Sequence, residues 1–234
     1  MDTVGKTTRV LGVAFLLQFV TSFTSGVILK PAWYVPGDIG ETMRKIADNP
    51  LLFSSTILLD MLTALGVIFL GVMLYFTLRR QSEKMALVAL GFYLLEAALL
   101  AASRLEAFSL LRISQEYATT ANPVYLTLGS LAYGSMDFVG NTLHMLAFCF
   151  GGILFYYLLY TSGVIPRVLS LWGLVAVLPM LVGTLAQVFG SSIPFAFYVP
   201  YVPFEPVIGL WILFKGVQEA GQRPSSPRLA PQGG

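Results

Sequence analysis

The sequence predicts an all-α, polytopic integral membrane helical bundle of six transmembrane helices with both termini cytoplasmic. Three observations carry that expectation. The 234 residues are 56% apolar and only 11% charged, against roughly 25% charged in a soluble globular domain. A transmembrane helix takes about 20 apolar residues, so an apolar content of this size fills roughly six spans. Six apolar segments can also be traced along the chain, and their lengths fit helices rather than the 9–11-residue alternating strands of a membrane barrel. The net charge of +2 is too weak to form the basic patch of a nucleic-acid binder.

The segments run 10–29, 51–78, 85–113, 123–160, 168–189 and 193–214. The first is uncharged over 20 residues. It follows Lys6 and Arg9 as a secretory signal would, but five more spans follow and no A-x-A site ends it, so it reads as a retained helix. The second carries Asp60, and the third carries Glu96 before Arg104, Glu106 and Arg112. The fourth starts at Asn122-Pro123, a cap followed by a proline in the first turn. At 38 residues, or about 57 Å, it exceeds one span, so it either projects outward or breaks near Gly134 and Ser135. The fifth is uncharged. The sixth is interrupted by Pro194, Pro200, Pro203 and Pro206, which predicts a regular helix only from near Pro206. Residues 41–48 suit a short interfacial helix.

Orientation follows from the basic residues at the span ends. With the N-terminus inside, the inner side holds Lys6, Arg9, Arg79, Arg80, Lys84, Arg167, Lys215, Arg223 and Arg228. The outer side then holds Lys30, Arg44, Lys45 and Arg112. Residues 1–217 read as a single transmembrane domain, and the polar, proline-rich 218–234 as a disordered cytoplasmic tail.

Ionisable side chains inside spans are costly, so each is a functional candidate whose partner must be found. At 1.5 Å per residue, Glu96 and Glu205 fall near the midplane, and Asp60, His144, Arg104 and Asp137 fall closer to the outer side. The inner half is almost purely apolar. This one-sided distribution predicts a pocket open to the outside with Glu96 and Glu205 on its floor. A carboxyl group at that depth either carries a proton or meets a cation.

Asp137, Asn141 and His144 are spaced i, i+4 and i+7, within about 40° of one another on a helix, and Tyr133 and Phe148 extend that stripe. The group serves either as an Asp–His relay or as an interhelical hydrogen-bonding seam. Arg104 is expected to pair with Glu96, Asp60 or Asp137 as a fold-fixing ion pair. Glu205 stands out because the prolines around it leave backbone groups unpaired, which at depth is tolerated where the backbone lines a cavity. Gly151, Gly152 and Gly183 suit close helix packing. A single His and a single Cys, Cys149, exclude multi-His metal sites, disulfides and thiolate clusters. Neither a phosphate-binding glycine loop nor a nucleophile elbow is present, and no metal or cofactor is expected.

Several stretches together resemble a known family: Arg9-Val-Leu-Gly12, Gly91-Phe-Tyr-Leu-Leu-Glu96-Ala-Ala-Leu99, Val164-Ile-Pro-Arg167, Leu171-Trp-Gly-Leu174, and Phe204-Glu-Pro206 ahead of Gly209-Leu-Trp-Ile-Leu-Phe-Lys-Gly216. Their order over six spans resembles the domain-of-unknown-function 4386 family of bacterial membrane proteins, from about Arg9 to Val217. The resemblance implies a bacterial plasma-membrane protein and no reaction. In that family the third-span Glu follows an Arg by three residues, and here that place is Tyr93.

On these grounds the expected function is binding, with transport as its extension, of a small solute in the outward-facing pocket. An intramembrane enzyme acting on a lipid or small substrate, and a structural or regulatory membrane subunit, are the alternatives. Membrane lipids and a small-molecule ligand are the expected partners.

Overall fold

The computed structural model describes residues 3–191 and 193–217, and within them every regular element is helical. The 218–234 tail lies outside the described residues. The helices are α1 (Thr3–Phe23), α2 (Lys30–Trp33), α3 (Ile39–Asp48), α4 (Pro50–Leu78), α5 (Glu83–Thr120), α6 (Val124–Asp137), α7 (His144–Ser162), α8 (Arg167–Val188) and α9 (Phe204–Lys215). Two π-helical turns, Thr24–Leu29 and Phe138–Leu143, join α1 to α2 and α6 to α7 without a break.

Five helical runs are long and apolar enough to cross a membrane: Arg9–Trp33, Pro50–Leu78, Glu83–Thr120, Val124–Ser162 and Arg167–Val188. Their flanks carry bare apolar side chains, with Val20, Leu58, Leu65, Val175 and Val182 each at least 55% exposed. A chain in water does not leave belts of that kind uncovered, whereas hydrocarbon accepts them. The sixth segment differs. Its helix begins at Phe204, two residues before the expected start, and at 12 residues it rises about 18 Å, short of the roughly 30 Å hydrocarbon core.

The 123–160 segment does not break at Gly134 and Ser135. It runs on to Ser162, with only the π turn inside it. Helix α5 likewise outruns its expected end at residue 113 and reaches Thr120. At 38 residues it is about 57 Å long, so its final turns extend past the apolar layer. There it meets α3 and α6 in a compact cap built on Trp33, Met43, Ile46, Phe53, Ala107, Leu110 and Met136. Helix α3 is held by its own cap, in which Asp38 accepts the Glu41 N–H at 2.8 Å.

A second, larger core lies below the cap and joins α1, α4, α5, α7, α8 and α9 through Phe15, Leu70, Tyr93, Phe155, Val177 and Phe204. Helices α1 and α9 run antiparallel in contact. Gly12 faces the backbone of Leu213 and Gly209, and Gly209 faces Phe15 and Leu16. Residues before Gly12 and after Leu213 therefore leave the bundle at the same end. Gly151 makes room for the Tyr93 ring and Gly183 for Ile193, the close-packing role expected of them, while Gly173 accommodates Phe204.

A Cβ at Gly12 falls 2.6 Å from the Leu213 nitrogen and 2.7 Å from the Gly209 oxygen, and backbone cannot step aside. Gly12→Ala is expected to lower stability by about 1–3 kcal/mol, the usual cost of overpacking. Gly134→Ala, which meets nothing within 4 Å, is expected to be neutral or slightly stabilising. Thermal unfolding of the two purified variants in detergent checks both.

Candidate functional site

The cap and the lower core do not meet directly everywhere. Between them lies a cavity of about 80 Å³. Its walls take Leu100 from the lower core and Trp33 and Met136 from the cap, and apart from Gly26 and Gly140 the remainder is polar: Ser25, Lys30, Thr56, Asp60, Arg104, Asp137 and Asn141. Both π turns open onto it, the first through Ser25 and Gly26 and the second through Gly140 and Asn141. A π turn holds one residue more than an α turn, and such bulges recur where a helix must present groups it could not otherwise aim.

The Arg104 guanidinium pairs with Asp60 across the α4–α5 contact. It also donates to Ser103 Oγ from Nε at 3.0 Å and from Nη2 at 2.8 Å. Both charged side chains are about 15% exposed, so water screens the pair little. Room for the guanidinium comes from Gly140, where a Cβ falls 2.6 Å from Arg104 Nη2 and from Ser103 Oγ. Across the cavity Lys30 reaches Asp137 at 3.4 Å, and Asn141 donates to the same carboxylate oxygen. Trp33 is 5% exposed and its indole N–H has no hydrogen-bond partner among the described residues.

Glu96 and Glu205, expected on the floor of the pocket, do not line this cavity. Leu100 forms the floor. Glu96 lies one helical turn beneath it, about 6 Å along α5. Glu96 and Glu205, 4% and 7% exposed, belong to a separate buried cluster with Gln18, Tyr93, Tyr156 and Tyr201. Tyr201 donates to Glu205 at 3.0 Å and shares a short hydroxyl contact with Tyr156. The Gln18 side chain approaches Glu205 from α1.

Asp137 and His144 share no hydrogen bond. The carboxylate is taken by Asn141 and Lys30, and His144 Nδ1 is buried without a partner among the described residues. The spacing argument assumed a plain α-helix, but the intervening π turn adds a residue and turns the following helix by about 100°. The stripe through Tyr133 and Phe148 divides as well, since the two lie about 22 Å apart along the helix. Tyr133 stacks on Tyr34 in the cap, and Phe148 packs edge-on against Tyr201 in the lower core.

Sequence reasoning thus picked out Asp60, Arg104, Asp137 and Asn141, which the structure brings to one cavity, but not Lys30, Trp33 or Ser25 beside them. Lys30 had a signal, since it ends a 20-residue uncharged run. Gln18, the lone amide in that run, was a signal for the lower cluster. The tyrosines come from three separate segments and carry no common spacing.

Removing one member of the Asp60–Arg104 pair strands the other in a poorly solvated place. Asp60→Asn and Arg104→Gln are each expected to destabilise by about 3 kcal/mol, and the double variant by less than their sum. Denaturant unfolding of the four proteins in mild detergent supplies the cycle.

Comparison with known proteins adds membership and little else. No curated protein and no solved structure matches the chain. One family model, described as Domain of unknown function (DUF4386), matches residues 10–216. That span takes in both π turns, the cavity and the lower cluster, and on it the chain belongs to the DUF4386 family.

Proposed function

We propose that the protein is a six-span binding protein of the bacterial plasma membrane, with one domain over residues 1–217, both termini inside, and a cavity that takes a small polar solute from outside. The sixth span is α9 together with the irregular stretch before it, in which the Trp172 indole holds the Pro200 carbonyl at 3.0 Å. The antiparallel contact of α1 with α9 supports termini on one side, and the basic residues at those ends favour the cytoplasmic side.

The observation that carries the reading is a cavity walled by polar groups, one of whose lining residues, Trp33, has a buried indole N–H without a partner among the described residues. A buried donor without a partner is uncommon in a finished interior, and one beside a cavity suits a ligand. The cavity's charges cancel, Lys30 and Arg104 against Asp60 and Asp137, so the solute that fits is neutral or zwitterionic. Pockets for drug-sized molecules run about 300–1,000 Å³, and a cavity of about 80 Å³ suits only a solute of a few heavy atoms. That size disfavours lipid chemistry inside it. Transport is the natural extension, with the solute passing the Leu100 floor.

Two measurements test this. In a Cys149→Ala background, Asn141→Cys and Gly26→Cys are expected to react with a membrane-impermeant maleimide on intact cells, while Leu210→Cys on the exposed flank of α9 does not. Labelling only after permeabilisation overturns the outward-facing cavity. Native mass spectrometry of the purified protein is expected to show a small adduct that Trp33→Phe weakens. A clean apo mass, with polar substitutions affecting stability alone, leaves the structural-subunit reading instead, which the self-sufficient Asp60–Arg104 pair favours.

A further inference from the structure

The lower cluster is not used by the solute reading, and its hydrogen-bond accounting does not close. Two carboxyl groups and one amide oxygen meet there, supplied by Glu96 on α5, Glu205 on α9 and Gln18 on α1. Among the described residues, no Lys, Arg or His joins them. Facing Glu96 and Glu205 from the packed elements are Tyr93 of α5, Tyr156 and Cys149 of α7, and Tyr201 just ahead of α9. Helix α4 presents Gly66 to the Gln18 backbone. The nearest histidine, His144, faces Arg104 instead, and Arg104 is two turns up α5 and engaged by Asp60.

The donors can be assigned. Tyr201 gives its hydroxyl proton to Glu205, so at the short Tyr156–Tyr201 contact Tyr156 must be the donor. Two hydroxyls therefore line up in one direction, Tyr156 to Tyr201, and end on Glu205. The Tyr93 hydroxyl lies near Tyr156 and Glu96 and is itself buried without a hydrogen-bond partner among the described residues. The Gln18 amide approaches Glu205 as well. None of these bonds goes to Glu96. Its Oε2 is buried without a partner, and so is the Gln18 amide oxygen. An acceptor-only carboxylate stranded this way is among the costliest arrangements in a protein interior, whereas a carboxylic acid supplies the missing donor itself.

We propose that this cluster is a buried proton site, with one exchangeable proton carried on Glu96 beside an ionised Glu205. Its proton moves between two bases at fixed total charge. The bond from hydrogen to Glu96 Oε2 breaks, the proton is accepted by Glu205, and the hydroxyl chain reverses so that its free donor turns toward the new carboxylate. The site lies a helical turn below the cavity floor and stands or falls independently of solute binding. If both proposals hold, a proton and a solute occupy adjacent levels of one bundle.

Infrared spectroscopy of the reconstituted full-length protein at neutral pH reads the proton directly. The wild type is expected to show a protonated-carboxyl C=O band that shifts down in D₂O. Glu96→Gln is expected to abolish that band, and Glu96→Asp to move it. Glu205→Gln and Asp60→Asn are expected to retain it. Because Gln copies the neutral acid, Glu96→Gln is also expected to keep the wild-type midpoint of thermal unfolding, while Glu205→Gln lowers it. The proposal is overturned if the wild type lacks the band, or if Glu205→Gln removes it and Glu96→Gln does not. It is equally overturned if sodium or potassium chloride raises the unfolding midpoint in a manner that needs both carboxylates, since a bound cation then fills the site. Should Glu96→Gln fail to fold, the wild-type band and its displacement in Glu96→Asp decide alone.

Discussion

Arg104 can lie at its depth in the bundle only because residue 140 has no side chain. A guanidinium in a largely apolar interior needs a carboxylate, further acceptors and physical room. Asp60 and Ser103 supply the first two, and the gap at Gly140 supplies the third. That gap faces α5 because the π turn Phe138–Leu143 rotates the helix there. The same turn brings Asn141 to the cavity and fixes Asp137 at the mouth opposite Lys30. The charged layer is therefore one linked construction, and the division between cap and lower core follows from it.

The protein handles its acids in two different ways at two levels. In the upper layer each carboxylate has a cation, Asp60 with Arg104 and Asp137 with Lys30. In the lower one the carboxyl groups meet hydroxyls and an amide, and no cation. Leu100 separates the layers, and Glu96 and Arg104 stand eight positions apart on α5, about 12 Å. The cations above are already engaged and too distant to neutralise the acids below.

The helices were legible in the sequence because hydrocarbon admits so few backbone solutions: an apolar run of span length has to be helical. The starts of α4 and α8 came within a residue or two for that reason. The end of α5 was harder, since its last turns leave the apolar layer and continue on cap contacts such as Tyr117. The site was legible as a list of costly residues, but not as two sites. Depth along a helix places Glu96 and Asp60 some turns apart, yet nothing in their spacing says that Leu100 closes the space between them. The π turns were hidden too. Thr24-Ser25-Gly26 and Gly140-Asn141-Thr142 read equally well as ordinary polar patches on a helix, and the extra residue that dissolves the Asp137–His144 face leaves no mark in composition.

The position of Glu205 shows why the irregular sixth segment is not a defect. An acid carried by a short helix is placed by whatever that helix leans on, and α9 leans on α1. Gly12 and Gly209 let the two backbones touch, and from that contact the register runs on to set Glu205 beside Gln18. The stretch ahead of it is pinned at Pro200 by Trp172 and at Tyr201 by Tyr156. In a full-length regular helix the Phe204 N–H would take the carbonyl at 200, whereas here it turns to the Tyr201 carbonyl at 2.9 Å and leaves Pro200 to Trp172. The prolines that prevent that ladder also leave the segment's geometry to side chains. Helices α1 and α9 are thus obligatory partners, and the lower cluster is complete only once α9 has docked.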